Sequence, residues 1–338
     1  YPVWQSLMRG SPCHSLNSFG GIVLKEIKIE HPYLGKLSSN AYVSALGNVI
    51  ETLSTHLTQS ETNALKNKLQ LTAKNFNEPQ YLQTACELSV CAYFAEKFSQ
   101  GFKYEDKVNP PKDVDCSVYH DYAKYNIEVK CATFSDDEKL KSEDCFKMSA
   151  IGRMEEYPDL IEKLSDVFST SPDGKPLKAY KHKDNNLKDF LISAHEKFSD
   201  EVYGDIVNIL WVCCDDAMDM TKWTGYLTGL NGLFTSDSFV DRNLYSKVDV
   251  VVLSNLYHRH AKYQTKKNLE NHWNVDSSFN IIFCNPGRLA NKEIAIKKFY
   301  EIVPNFCKEV LDYDAPDPLK LSAFVAHELK GKGLYYFD

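Results

Sequence analysis

Three stretches constrain this chain more than any others. The runs 206–214, 248–253 and 279–284 are apolar at nearly every position, so that neither face of a strand drawn through them is polar. A strand of that kind must be covered on both sides, which puts it in the middle of a sheet with helices on each face. Between and around these runs the apolar residues recur at helical spacing. Val43, Leu46, Val49, Ile50 and Leu53 mark one helix over about 38–56, and Ser60 is a fitting N-cap for a second reaching about Phe76. A third starts near Glu78 and Pro79 and runs to Phe98, with Gly101 ending it. Leu187, Phe190, Leu191, Ala194 and Phe198 mark another. The tail from Lys292 to Lys330 reads as helix, broken at 315–318. The alternation predicts an α/β fold with a central mixed sheet.

Ahead of the apolar runs lies a stretch of a different kind. Phe102 to Val108 reads as a first strand, and Asn109, Pro110 and Pro111 break it. From Asp113 to Cys131 the pattern then has period two. Val114, Cys116 and Val118 alternate with Asp113, Asp115 and Ser117, and Ile127, Val129 and Cys131 alternate with Glu128 and Lys130. This reads as a β-hairpin with one half-buried face. If the strands pair, Asp115, Glu128 and Lys130 share that face. Buried charges are costly there unless something compensates them, and a hard divalent cation takes carboxylate oxygens readily.

This hairpin resembles the signature of the PD-(D/E)xK nuclease superfamily, the fold of many restriction endonucleases and junction resolvases. Asp115, Glu128 and Lys130 stand at the matching positions. The resemblance covers roughly residues 80 to 133, rests on a short motif, and has no proline before Asp115. It implies a restriction-endonuclease-like core of a helix, three strands, a helix and a strand. It also implies Mg²⁺ or Mn²⁺ held by Asp115, Glu128 and the Val129 carbonyl, with Lys130 assisting hydrolysis, and often an acid from the preceding helix. Glu87 lies in that helix, between Cys86 and Leu88. Its position suits either the exposed far edge of the helix or a rim facing the hairpin. Other Glu-x-Lys sequences start at Glu26, Glu105 and Glu328, but only Glu128 follows an alternating strand with an aspartate and a helix bearing an acid. Without a cation the same residues read as a surface ion pair of small worth.

The expected activity is metal-dependent hydrolysis of nucleic-acid phosphodiesters, most simply by a DNA endonuclease of a restriction or defence type. The alternative is an inactive site on the same fold, serving as a nucleic-acid- or protein-binding module. Nucleic acid is the expected partner, DNA before RNA, with a homodimer as a further expectation. The expected organisation is a mostly helical accessory region over 1–76, a nuclease core over 77–290 with an insertion near 135–185, and a helical region over 291–338.

Composition sets the remaining expectations. The net charge of −7 argues mildly against wholesale nucleic-acid binding. Two basic clusters stand against that: Lys175, Lys178, Lys181, His182, Lys183 and Lys188, and then Arg259, Lys262, Lys266 and Lys267 with His258, His260 and Tyr263 among them. Either cluster suits phosphates or a solvated face. His258 and His260 read as a polar strand end, because no third metal ligand has a fitting spacing. Asp215, Asp216 and Asp219 read as helix-capping and turn residues. The 10 cysteines have no regular spacing and read as buried free thiols of a cytoplasmic protein, not as a zinc or disulfide framework. No apolar run approaches the roughly 20 residues that span a bilayer, and no signal-peptide pattern is read at the start.

Overall fold

The computed structural model describes residues 31–35, 40–71, 75–132, 163, 184–200, 204–264, 272–314 and 320–332. Most of the first basic cluster and most of the insertion expected near 135–185 lie outside these residues. Helices α1 (Asn40–Ser54), α2 (Gln59–Lys68) and α3 (Glu78–Lys97) precede strands β1 (Phe102–Tyr104), β2 (Cys116–His120) and β3 (Ala123–Cys131). Then come α4 (Asp184–Lys197), β4 (Ile206–Cys213), α5 (Ala217–Thr228), β5 (Val250–Ser254), α6 (Leu256–Ala261) and β6 (Asn280–Cys284). Helices α7 (Glu293–Ile302), α8 (Cys307–Asp312) and α9 (Lys320–Phe324) follow. No helix among the described residues is long and apolar enough to cross a membrane.

The α/β class with a mixed sheet holds. One six-stranded sheet runs in sequence order. β1, β2 and β3 are antiparallel neighbours, β3, β4 and β5 are parallel, and β6 returns antiparallel to β5. The three apolar runs are β4, β5 and β6. In β4, Val207, Ile209, Trp211 and Cys213 pack on one face with α1, α3 and α7. Leu210 and Val212 pack on the other with α4, α5 and α9. Both parallel crossovers, β3 to β4 and β4 to β5, place their helix on this second face. Successive strands are added in one direction, so a constant crossover hand requires the helices to share a face.

Local chemistry sets the ends of these elements. Asn77 caps α3 by accepting from the Gln80 N–H at 3.2 Å. Gly101, just past that helix, lies against the Tyr119 backbone so closely that a Cβ would collide with its carbonyl. The hairpin turn between β2 and β3 is Asp121 and Tyr122, both with positive φ, 49° and 67°. A two-residue loop of this kind matches the twist of the flanking strands. β1 is shorter than expected, because the chain leaves the sheet at Glu105, φ 45°. The segment from Trp223 to Thr228 is the second half of α5, and Asp216 caps that helix as expected.

The His258–His260 segment is not a strand end. It lies in α6, with both rings buried. Four side chains here form a directed chain of hydrogen bonds. Ser89 spends its proton on the Ala85 carbonyl at 2.8 Å, so it accepts from His260 Nε2 at 2.9 Å. His260 Nδ1 then accepts from the Tyr42 hydroxyl at 2.8 Å, and Tyr42 accepts from Tyr81 at 3.2 Å. The chain ties α1, α3 and α6 together and needs a neutral imidazole.

Burial, with the nearby His272 and Arg259 charges, holds His260 well below its ordinary value of 6.5. A histidine kept neutral in the fold contributes stability above its unfolded value and loses it as pH falls. Stability in urea should therefore drop below about pH 6.5, by up to about 1.4 kcal/mol per pH unit for this proton. His260→Asn, which cannot titrate, should show a shallower loss between pH 6.5 and 5. An unchanged slope would mean that other groups carry the acid response.

Candidate active site

The site forms where the β2–β3 ladder stops. Its last paired residues are Cys116 and Ile127. The Lys124 and Ala132 N–H groups bond to Asp205 and Cys213 on the β4 side, so the even-numbered residues of β3 face β4 and the odd-numbered ones face β2. Val129 therefore turns its N–H and its carbonyl toward β2. Continued pairing would bring Val114 opposite, but the Val114 N–H goes to the Asp106 carbonyl at 3.0 Å. The Asp115 side chain takes the vacated place, accepting the Val129 N–H on Oδ2 at 2.6 Å. The Val129 carbonyl is left facing Asp115 without a ladder partner.

The same register sets Asp115 opposite Glu128, one step beyond the last pair. Glu128 is 1% exposed and still carries a charged partner on each side. Lys130 reaches its Oε1 at 2.8 Å and Lys197, from the last turn of α4, reaches the same oxygen at 2.7 Å. Both are ion-pair contacts, and neither Glu128 oxygen meets a donor in hydrogen-bonding geometry among the described residues. Oε2 is thus a buried acceptor with no partner.

Glu87 is on the rim, not the exposed edge of its helix. It is buried on α3, and its Oε1 accepts from the Tyr104 hydroxyl at 2.9 Å and from Lys68 at 3.3 Å. Lys68 also bonds Glu105 at 2.7 Å. One turn further along α3, the Cys91 thiol points at the Asp115 carbonyl at 3.7 Å, so α3 lies directly beside the open ladder end.

The three carboxylates feel one another. Burial first, then the Glu87 and Glu128 charges, push the Asp115 carboxyl well above the ordinary range, against the pull of the Val129 N–H and Lys197. Burial raises Glu87 too, in spite of Lys68 and Tyr104. Lys197 stays protonated, because Glu128, Asp115 and Asp113 outweigh its own burial. Four acids, with Glu105 the fourth, and three lysines, Lys68, Lys130 and Lys197, make up the cluster. A cluster of groups perturbed by burial and by one another is a candidate functional site.

Comparison with protein-family models, with curated proteins and with solved structures finds no match. The reading of the site therefore rests on its own geometry.

Two residues of the cluster were not singled out in the sequence. Lys197 ends a helix, where a cation is favoured by the helix dipole alone, and only the fold brings it to Glu128. Lys68 is one of two lysines on α2. In the second basic cluster Arg259 is buried, donating to the Asn274 carbonyl at 2.8 Å and Ser277 at 3.0 Å, and His258, His260 and Tyr263 are buried with it, whereas Lys262 is exposed. Lys266 and Lys267 lie outside the described residues. The eight cysteines described are free, as expected. Three of them, however, come together as the spacing did not foretell. The sulfurs of Cys86, Cys131 and Cys213 all lie within 4.8 Å of one another. Among the described residues no other group of three metal-binding side chains is so compact, so the three carboxylates stand wider apart than this.

Cation-free protein should lose stability as pH rises, because the native state holds a proton on Asp115 that the unfolded chain releases near 3.8. Asp115→Asn should therefore melt at least as high as wild type in EDTA at pH 8. Mn²⁺ should raise the melting temperature of wild type and leave Asp115→Asn unmoved. An equal shift in both proteins would place the cation elsewhere.

Proposed function

We propose that this chain is a divalent-cation-dependent nuclease acting on phosphodiester bonds of nucleic acid, with DNA the first substrate to test. One observation carries the reading: Asp115 stands opposite Glu128 one step past the last β2–β3 pair, its side chain bound to the Val129 N–H, with Lys130 paired to Glu128. The order from Glu78 to Cys213, a helix, three strands, a helix and a strand, is the one the superfamily resemblance implies, and it supports the same reading.

The donor set suits Mg²⁺ or Mn²⁺. It is all oxygen, as hard cations require. It includes a buried carboxylate oxygen, Glu128 Oε2, with no partner among the described residues, and a carbonyl that the ladder leaves open. Asp115, Glu128 and the Val129 carbonyl would hold the ion, and Glu87, set wider, would act through a water. A bound ion supplies Lewis acidity toward a phosphoryl oxygen and a more acidic water.

The chain's own groups do the rest. Lys130 orients the attacking water and faces the charge that grows on the phosphoryl oxygens, a role for a fixed donor in a site partly shielded from water. Hydrolysis joins the water oxygen to phosphorus and breaks the bond to the leaving sugar oxygen. The water's proton passes to solvent and the leaving oxygen takes one up. Lys197 balances Glu128 and stands ready to face the phosphate.

A second reading, an inactive binding module on the same fold, has its own support. Lys130 and Lys197 already neutralise Glu128 from within the chain, and the net charge is −7.

Plasmid, single-stranded DNA and RNA incubated with Mg²⁺, Mn²⁺ or EDTA separate the two readings. Cleavage is expected with either ion and none with EDTA. Lys130→Ala should lower the rate by at least about 100-fold, the scale of a lost charge-stabilising donor, while cation and substrate binding persist. Glu128→Gln should lose both cation and activity. Each variant must keep its melting temperature in EDTA. No cleavage of any substrate by wild type would leave the binding module standing.

A further inference from the structure

Cys86 on α3, Cys131 on β3 and Cys213 on β4 meet on the face of the sheet that carries α1, α3 and α7. Cys131 and Cys213 are directly paired across the parallel β3–β4 ladder, and Cys86 comes down onto them from the helix. Cys86 and Cys213 are fully buried and Cys131 is 7% exposed. None is in a disulfide.

An apolar core can tolerate a cysteine as a small hydrophobe. What that role does not require is three sulfurs from three separate elements converging on one point. A cation equidistant from three thiolates at about 2.3 Å would set the sulfurs about 4.0 Å apart. The observed upper bound of 4.8 Å lies within a small side-chain adjustment of that arrangement. No fourth cysteine, histidine, aspartate or glutamate among the described residues joins the group within the same bound. Structural zinc takes four ligands almost without exception. A site of three soft donors with little access for water suits a softer ion.

We infer that Cys86, Cys131 and Cys213 form a three-coordinate, all-sulfur site for a thiophilic cation, with monovalent copper the ion whose coordination it meets. Each sulfur gives up its proton to solvent on binding, so three thiolates surround one ion. The site is separate from the carboxylate cluster and independent of the nuclease reading, because hard oxygen donors and soft sulfur donors select different ions. It is nevertheless joined to that cluster through the backbone. Cys86 precedes Glu87, and Cys131 follows Lys130. An ion held by the thiols would cross-link α3, β3 and β4, three elements that position the acids and the lysine.

The test uses the whole chain, reduced and stripped of metal under anaerobic conditions, with copper(I) offered from a chromogenic chelator. One equivalent should pass to the protein, and X-ray absorption should show a shell of three sulfurs and no lighter atoms. The melting temperature should rise with loading. Cys213→Ser and Cys131→Ser should each weaken uptake by more than about 100-fold, beyond what loss of a supporting hydrogen bond costs. Cys91→Ser and Cys116→Ser, which alter buried thiols outside the group, should bind as wild type does. If one variant fails to fold, Cys86→Ser supplies the same comparison. No transfer from the chelator, transfer undiminished in the cluster variants, or a shell containing nitrogen or oxygen would each overturn the assignment. So would preferential uptake of zinc with a water as fourth ligand.

Discussion

The bond from the Val129 N–H to the Asp115 carboxylate, 2.6 Å long, is the interaction on which the site depends. A β-ladder normally consumes every backbone group along its edge. Here one strand turns away at Val114, and a side chain supplies the missing acceptor. That substitution does two things at once. It fixes a carboxylate at the centre of a sheet, where side chains usually stand perpendicular to the strands and apart from the backbone. It also leaves a carbonyl open beside that carboxylate. Val114 turns away because Glu105 leaves the sheet with positive φ, so that Asp106 meets Val114.

Around this point the protein buries charge that a merely stable fold would avoid. Glu128 is as buried as the core leucines, and two ammonium groups converge on one of its oxygens. Replacing such a group by apolar residues is often neutral or stabilising in other proteins. The sheet supplies rigidity instead: β4 is covered on both faces, and the hydrogen-bonded chain from Tyr81 to Ser89 locks α3 against α1 and α6. The helix that presents Glu87 is thereby held by contacts that have no part in the chemistry.

Much of the frame was legible because its signals are local. The doubly apolar runs at β4, β5 and β6 reflect burial on both faces, whereas the alternation through Asp115 and Glu128 is one of chemistry, since Ser117, Asn126 and Glu128 on the polar face are buried too. The α3 boundaries followed from Glu78, Pro79 and Gly101, and α4 from apolar spacing. What escaped depends on distant partners. His260 reads as part of a polar strand end beside Arg259 and His258, and only the packing of α6 on α1 and α3 makes it an interior hydrogen-bonding group. Arg259 reads as a phosphate contact until the loop at Asn274 covers it. Lys197 and the meeting of Cys86 with Cys131 and Cys213 are products of tertiary approach, with no spacing in the chain to announce them. The short β1 escaped for the opposite reason, since a backbone turn at a glutamate has no strong local signature.

The acidic half of the site has a further property. Glu87, Tyr104, Asp115, Glu128 and Lys130 all fall between the start of α3 and the end of β3, a contiguous segment joined by antiparallel neighbours. Contacts so close in sequence form early in folding, because little loop entropy is lost in closing them. Lys197 comes from beyond a long intervening stretch and reaches Glu128 only when α4 docks on the sheet. During synthesis, then, the carboxylates gather before one of their balancing lysines exists. A chain extended only to β3 would carry these acids without Lys197, so the charge balance at Glu128 is completed only when α4 docks.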